Sequence, residues 1–202
     1  AIADPKAVRP EHIEHLYVRR HKGNAEVAAE AGNKWADRLP PMPIPVRPTP
    51  AEEAIFAEIA EVWTHPPAGT KAPTSGSGAT LFPWTLFKAA LSSHRALAET
   101  VRNRRKSLRG ADGEVADPDR AAEDAALARL GELAEAVDDR NAAKLTALVE
   151  QLRAIGVDGK GSTRCVVFSE RIATLDWLAE QVPAALGLST DQVRVLHGGM
   201  AD

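Results

Sequence analysis

The sequence predicts a mainly α-helical region followed by a truncated α/β unit, a single parallel βαβ element. Three observations carry this prediction. Hydrophobic residues make up 44% of the chain but aromatics only 4%, and alanine is abundant, so helices packed through small side chains are expected. Between residues 48 and 155 apolar side chains recur at helical spacing in successive blocks. After Gly161 the texture changes: RCVVF (164–168) and VRVL (193–196) are short apolar runs on either side of another helical pattern.

In order along the chain, residues 9–36 carry the basic cluster Arg19, Arg20, His21 and Lys22, then an alanine-rich helical stretch. LPPMPIPVRPTP (39–50) has too many prolines for a central strand and reads as extended linker or edge strand at best. Thr49, Pro50 and Glu52 form a capping box that starts a helix, with Ile55, Ile59, Val62 and Trp63 at helical spacing. HPPAGTKAPTSGSGAT (65–80) lacks the apolar surface to order itself and reads as a mobile loop. Residues 81–109 predict one helical block, apolar in its first half and basic in its second. GADGEVADPD (110–119) is a turn, Asp117-Pro118 begins a helix reaching about Val137, and 141–156 forms another, stopped at Gly156. In the last part, RCVVF and VRVL are the strands. The helix between them presents Ile172, Leu175, Leu178 and Val182 on one face, and its crossover is right-handed.

The bulk composition excludes several classes. A net charge of −3 says little about partners, and the one cysteine, Cys165, excludes an internal disulfide framework. No stretch approaches the roughly 20 apolar residues needed to span a bilayer, and no basic-then-apolar signal pattern opens the sequence. These features predict a soluble, cytoplasmic chain with no membrane partner.

Open parallel sheets present their ligand sites at the carboxyl ends of the strands. Here those ends are Ser169-Glu170-Arg171 and His197-Gly198-Gly199. A hydroxyl beside the amides and positive dipole end of the following helix suits a phosphate, and paired glycines allow close backbone approach. The basic run Arg102, Arg104, Arg105, Lys106 and Arg109 suits either DNA phosphates or simple complementation of a helix C-terminus; Arg19, Arg20 and Lys22 leave the same choice. His12, His15 and His21 have no cysteine nearby and only scattered carboxylates, a poor metal set. Cys165 reads as a core strand residue, His94 as helix surface, and Trp63, Trp84, Trp177 and Phe87 as core. The acidic helix at 119–139 reads as a solvated face.

RCVVFSERIATLDWLAEQV followed by VRVLHGGM resembles the opening of the second RecA-like lobe of bacterial Swi/Snf-type, superfamily-two helicase-like ATPases. AKLTALVEQLRAIG is similar to the helix leading into that lobe, LYVRRHK to a basic turn near the end of the first lobe, PTPAEEAIFAEIAEVW to the helix after it, and LFPWTLFKAALSSHRALAETVRNR to the helical insertion between lobes. The resemblance implies an internal fragment. Residues 1–47 would be the end of the first lobe and a linker, 48–155 the helical insertion, and 156–202 the incomplete start of the second lobe. It also implies that Ser169–Arg171 and His197–Gly199 touch the nucleic-acid backbone, and that the insertion grips double-stranded DNA. The whole motor would couple ATP and Mg²⁺ chemistry to movement along DNA, often remodelling a DNA-bound protein.

The phosphate-binding parts of such a motor are not in this sequence. GVDGKGST (156–163) does not satisfy G-x-x-x-x-G-K-[ST] and precedes a strand; SGSG (75–78) follows none; the acidic residues of 112–139 form no aspartate-glutamate box. The chain by itself is therefore expected to bind no ATP or metal and to catalyse nothing. Two other readings are a non-enzymatic helical adaptor for a protein partner and a small flavodoxin-like enzyme, the latter lacking the further βα units it needs.

Overall fold

A computed structural model describes residues 9, 24–31, 39–76, 80–109 and 117–200. The chain divides into two units between Ile44 and Pro45. In the first, Ala25–Ala31 forms α1. In the second lie α2 (Pro50–Glu58), continued by a π-helical stretch (Ile59–Thr64), then α3 (Phe82–Ser92), α4 (His94–Leu108), α5 (Pro118–Glu135), α6 (Ala143–Ala154), α7 (Ile172–Leu186) and a 3-10 turn, Thr190–Gln192. The LYVRRHK turn with Arg19, Arg20 and Lys22, and His12, His15 and His21, lie outside the described residues.

The helix starts follow local side-chain chemistry. Thr49 Oγ1 accepts from the Glu52 amide at 3.3 Å while Glu52 Oε2 accepts from the Thr49 amide at 2.7 Å, the reciprocal capping box. Asp117 accepts from the amides of Asp119 and Arg120, with Pro118 in the first helical position. The N-terminus of α6 has no cap of its own, since Ala142 precedes it. Glu52 supplies one from far along the chain: its carboxylate also accepts from the Ala143 amide, at 3.2 and 3.3 Å. One side chain thus satisfies orphan amides at two helix ends.

The block at 81–109 is two helices. Ser93 is extended (φ −167°, ψ 160°), and its hydroxyl accepts from the Ala96 amide, capping α4. The same hydroxyl is hydrogen-bonded at 2.7 Å to Thr174 Oγ1 in the first turn of α7. The break therefore serves two elements, and α7 packs on both α4 and α6. The core is built from Ile55, Ile59 and Trp63, Leu86, Leu97 and Val101, Leu127 and Leu130, Leu145 and Leu152, and Trp177. Trp63 meets Phe82 edge to face at 6.0 Å.

Several expectations are corrected. The α5 helix is not a purely solvated acidic face: Glu123 is 0% exposed. It accepts from Arg104 Nε at 2.7 Å and from both the amide and hydroxyl of Ser75, at 2.7 and 2.6 Å. Arg104 also donates to the Ser75 carbonyl and lies 5.0 Å from the centre of the Phe82 ring. This network ties Ser75 to α4 and α5, so the segment before it is anchored where the sequence predicts a mobile loop. Trp84 is 54% exposed and is not core.

The largest correction concerns the fold class. The described residues contain no strand and no sheet, so the parallel βαβ unit predicted for 156–202 is not formed. Its central helix, α7, is present; RCVVF and VRVL take no regular secondary structure. The physical reason is visible in their exposure, 73% at Val166, 90% at Phe168 and 87% at Leu196. β-Branched propensity favours extended backbone, but a ladder needs a neighbour and a covered face, and two strands alone are marginal. Cys165, expected in a strand core, is exposed.

Candidate anion-binding cleft

The break at Ser93 and the start of α7 frame an open cleft of about 470 Å³. Lys88, Leu91 and Ser92 line it from α3, Lys144 and Leu148 from α6, Phe168 to Arg171 from the segment before α7, and Thr174, Trp177 and Leu178 from α7 itself. Ser169 Oγ accepts from the Arg171 amide at 3.1 Å and donates toward the Arg171 carbonyl at 3.3 Å, closing a tight turn that delivers Arg171 to the cap position. Arg171 contributes no side-chain cap bond to α7, and its carbonyl accepts from the Thr174 and Leu175 amides at 3.1 and 3.3 Å.

A hydroxyl relay holds this turn in place. Ser92 Oγ is hydrogen-bonded to Thr174 Oγ1 at 2.8 Å and lies 3.4 Å from Ser169 Oγ. Thr174 is buried and is also bonded to Ser93. Lys144 Nζ donates to the Leu91 carbonyl, which draws the lysine to the cleft rim. Lys88, Lys144 and Arg171 thus come from separate elements to one place, against the single carboxylate of Glu170. Three cations and a set of hydroxyls are a donor set that suits a phosphate-like oxyanion.

Behind the cleft lies a second polar cluster. His94 is buried, not on the helix surface as its position after two serines suggests. Its Nε2 lies 2.7 Å from Asp139 Oδ1, and its ring meets Trp177 edge to face at 5.0 Å. Arg95 also donates to Asp139 through two nitrogens. These bonds, Arg95 first and His94 second, hold the Asp139 carboxyl below the usual carboxylate range, and the same contact raises the Arg95 guanidinium. Trp177 Nε1 is buried with no hydrogen-bond partner.

The structure separates the predicted site residues. Ser169, Glu170 and Arg171 line the cleft; His197, Gly198 and Gly199 do not. Those three form their own exposed turn, in which His197 Nδ1 accepts from the Gly199 amide at 3.1 Å. Of the basic run, Arg104 is committed to Glu123, while Arg105 and Arg109 pair with Asp124 at 2.9 and 3.2 Å. Arg102 and Lys106 are exposed and make no ion pair among the described residues. Lys88, Lys144, Ser92 and Thr174 were not picked out by the sequence pattern, because only tertiary packing brings them to Ser169. Among the described residues no group of three or more His, Cys, Asp or Glu side chains could hold a metal ion. No helix among them is long and apolar enough to cross a membrane. Comparison with protein-family models, curated proteins and solved structures finds no match to the chain.

Proposed function

We propose that this chain is a DNA-backbone-contacting part of a Swi/Snf-type DNA-dependent ATPase, acting as a coupling element and not as a catalyst. The observation that carries the reading is the cleft in which Lys88, Lys144 and Arg171 surround the Ser169 turn at the start of α7. A phosphodiester seated there would take charge-assisted bonds from the cations. Such contacts position a protein on duplex DNA without reading its sequence. ATP and Mg²⁺ would be held by other parts of the motor, since the sequence carries no P-loop or acidic box.

The resemblance of 81–104 to that family's inter-lobe insertion supports the same reading, while 164–200 resembles the opening of its second lobe in sequence without forming its βαβ unit. The test is fluorescence anisotropy with a labelled duplex, together with ATP turnover of a form of the protein that also carries the missing motor motifs. Salt-dependent binding by the chain, and turnover stimulated by duplex in the longer form, are expected. Salt-independent behaviour and turnover indifferent to DNA would overturn the reading. One observation favours a second reading, a non-enzymatic adaptor for a protein partner: Val166, Phe168 and Leu196 are exposed apolar side chains. That reading predicts no duplex affinity at any salt concentration.

A further inference from the structure

One side of α4 carries its own competitor for anions. Arg102, Arg105, Lys106 and Arg109 fall at i, i+3, i+4 and i+7 and so form one stripe of the helix, about 10 Å long at 1.5 Å per residue. The stripe and the facing side of α5 line an open cleft of about 530 Å³, with Glu132 and Glu135 on its far wall. Arg104 interrupts the basic run in sequence but belongs to the opposite face, where Glu123 holds it. Two of the four stripe cations are already engaged by one side chain. Arg105 donates through Nε and Nη2 to the two oxygens of Asp124, at 2.9 and 3.3 Å, and Arg109 Nη2 reaches Oδ2 at 3.2 Å. A guanidinium fork on two oxygens is the geometry it uses on a phosphate. Asp124 keeps 17% of its side chain exposed, so a competing anion can approach the same arginines from solvent.

We propose that Asp124 occupies Arg105 and Arg109 in the place of a phosphate and holds the affinity of the α4 stripe for the duplex DNA backbone below what four free cations would give. The inference rests on the DNA-backbone reading above. Arg102 and Lys106 are the entry point, because neither is paired among the described residues. A polyanion that engages them first brings its next phosphates beside Arg105 and Arg109 at high local concentration. A single small anion has no such advantage over Asp124.

The experiment is anisotropy of a fluorescein-labelled duplex with the full 202-residue chain, titrated across salt concentration. Asp124→Asn is expected to tighten binding on the order of eightfold at about 0.1 M salt for each arginine released, roughly sixtyfold if both engage phosphates, and to steepen the salt slope by about 0.9 for each. Arg105→Gln with Arg109→Gln should abolish that gain in the Asp124→Asn background and change binding much less in the wild-type background. Asp124→Ser repeats the test if Asp124→Asn alters the circular-dichroism melt. If Asp124→Asn binds with wild-type affinity and slope while Arg171→Gln still weakens binding, the Asp124 inference is overturned and the cleft reading stands. Tighter binding by Asp124→Asn with no loss from Arg171→Gln supports the inference and overturns the cleft. Failure of every form to bind duplex overturns both.

Discussion

Glu123 sits on a helix whose sequence is dominated by alanine and acidic residues, yet it is fully buried and its carboxylate is met by Arg104 and Ser75. Removing one member of a buried ion pair leaves the other uncompensated, which costs about 3–5 kcal/mol. Arg104 retains 25% side-chain exposure, so the lower end applies. Glu123→Ala is predicted to lower urea-unfolding stability by about 3 kcal/mol and to speed tryptic cleavage at Lys71 by releasing Ser75. Unchanged cleavage would show that the network does not anchor that segment. Asp139 makes a different prediction, because its folded-state value is depressed by Arg95 and His94. A depressed carboxyl contributes stability that is present above its unfolded value, about 3.9, and is lost as pH falls through the lower folded value. Asp124, depressed by Arg105 and then Arg109, acts in the same direction. Thermal midpoints should hold between about pH 7 and 5 and fall below about pH 4. Asp139→Asn should lower the plateau and flatten the acid limb, and an unaltered limb would remove Asp139 from the account.

Among the elements, what the sequence makes legible is what is local. The capping boxes and caps at Thr49 and Asp117 act within three residues, so side-chain identity and spacing were enough to start α2 and α5 correctly. The break at Ser93 was hidden inside a continuous helical pattern. Its reason is the Thr174 hydroxyl, eighty-one positions away. The strands failed for the same physical cause in reverse. RCVVF and VRVL have extended propensity, but a ladder is a property of neighbours, and here Phe168 and Leu196 face open space. Glu52 joins both kinds of information: its bond to Thr49 is readable, while its bond to Ala143 belongs to the fold. Glu52→Ala should therefore destabilise by about 2 kcal/mol, more than the roughly 1 kcal/mol of one ordinary cap. Differential scanning calorimetry checks this, with Glu52→Gln recovering part of the loss because one amide oxygen still accepts. A loss no larger than that of Thr49→Ala would mean that α6 does not depend on it.

For the molecule as a whole, a net charge of −3 conceals how its cations are used. Arg104, Arg105 and Arg109 are neutralised by α5 carboxylates, whereas Lys88, Lys144 and Arg171 converge on a cleft with one opposing carboxylate. Ser169 and Arg171 were legible as a turn ahead of a helix; the lysines that share the cleft were not, since α3 and α6 reach the turn only through the packing of α7. The His197 to Gly199 turn was expected at the same kind of site and lies outside this cleft. The most direct test of the central claim is the salt dependence of duplex binding by the wild-type chain and by Arg171→Gln. The account predicts that the substitution weakens binding roughly eightfold at about 0.1 M salt and makes the slope shallower by about 0.9, one phosphate contact, with the melting temperature nearly unchanged. Equal affinities and equal slopes for the two proteins would contradict it.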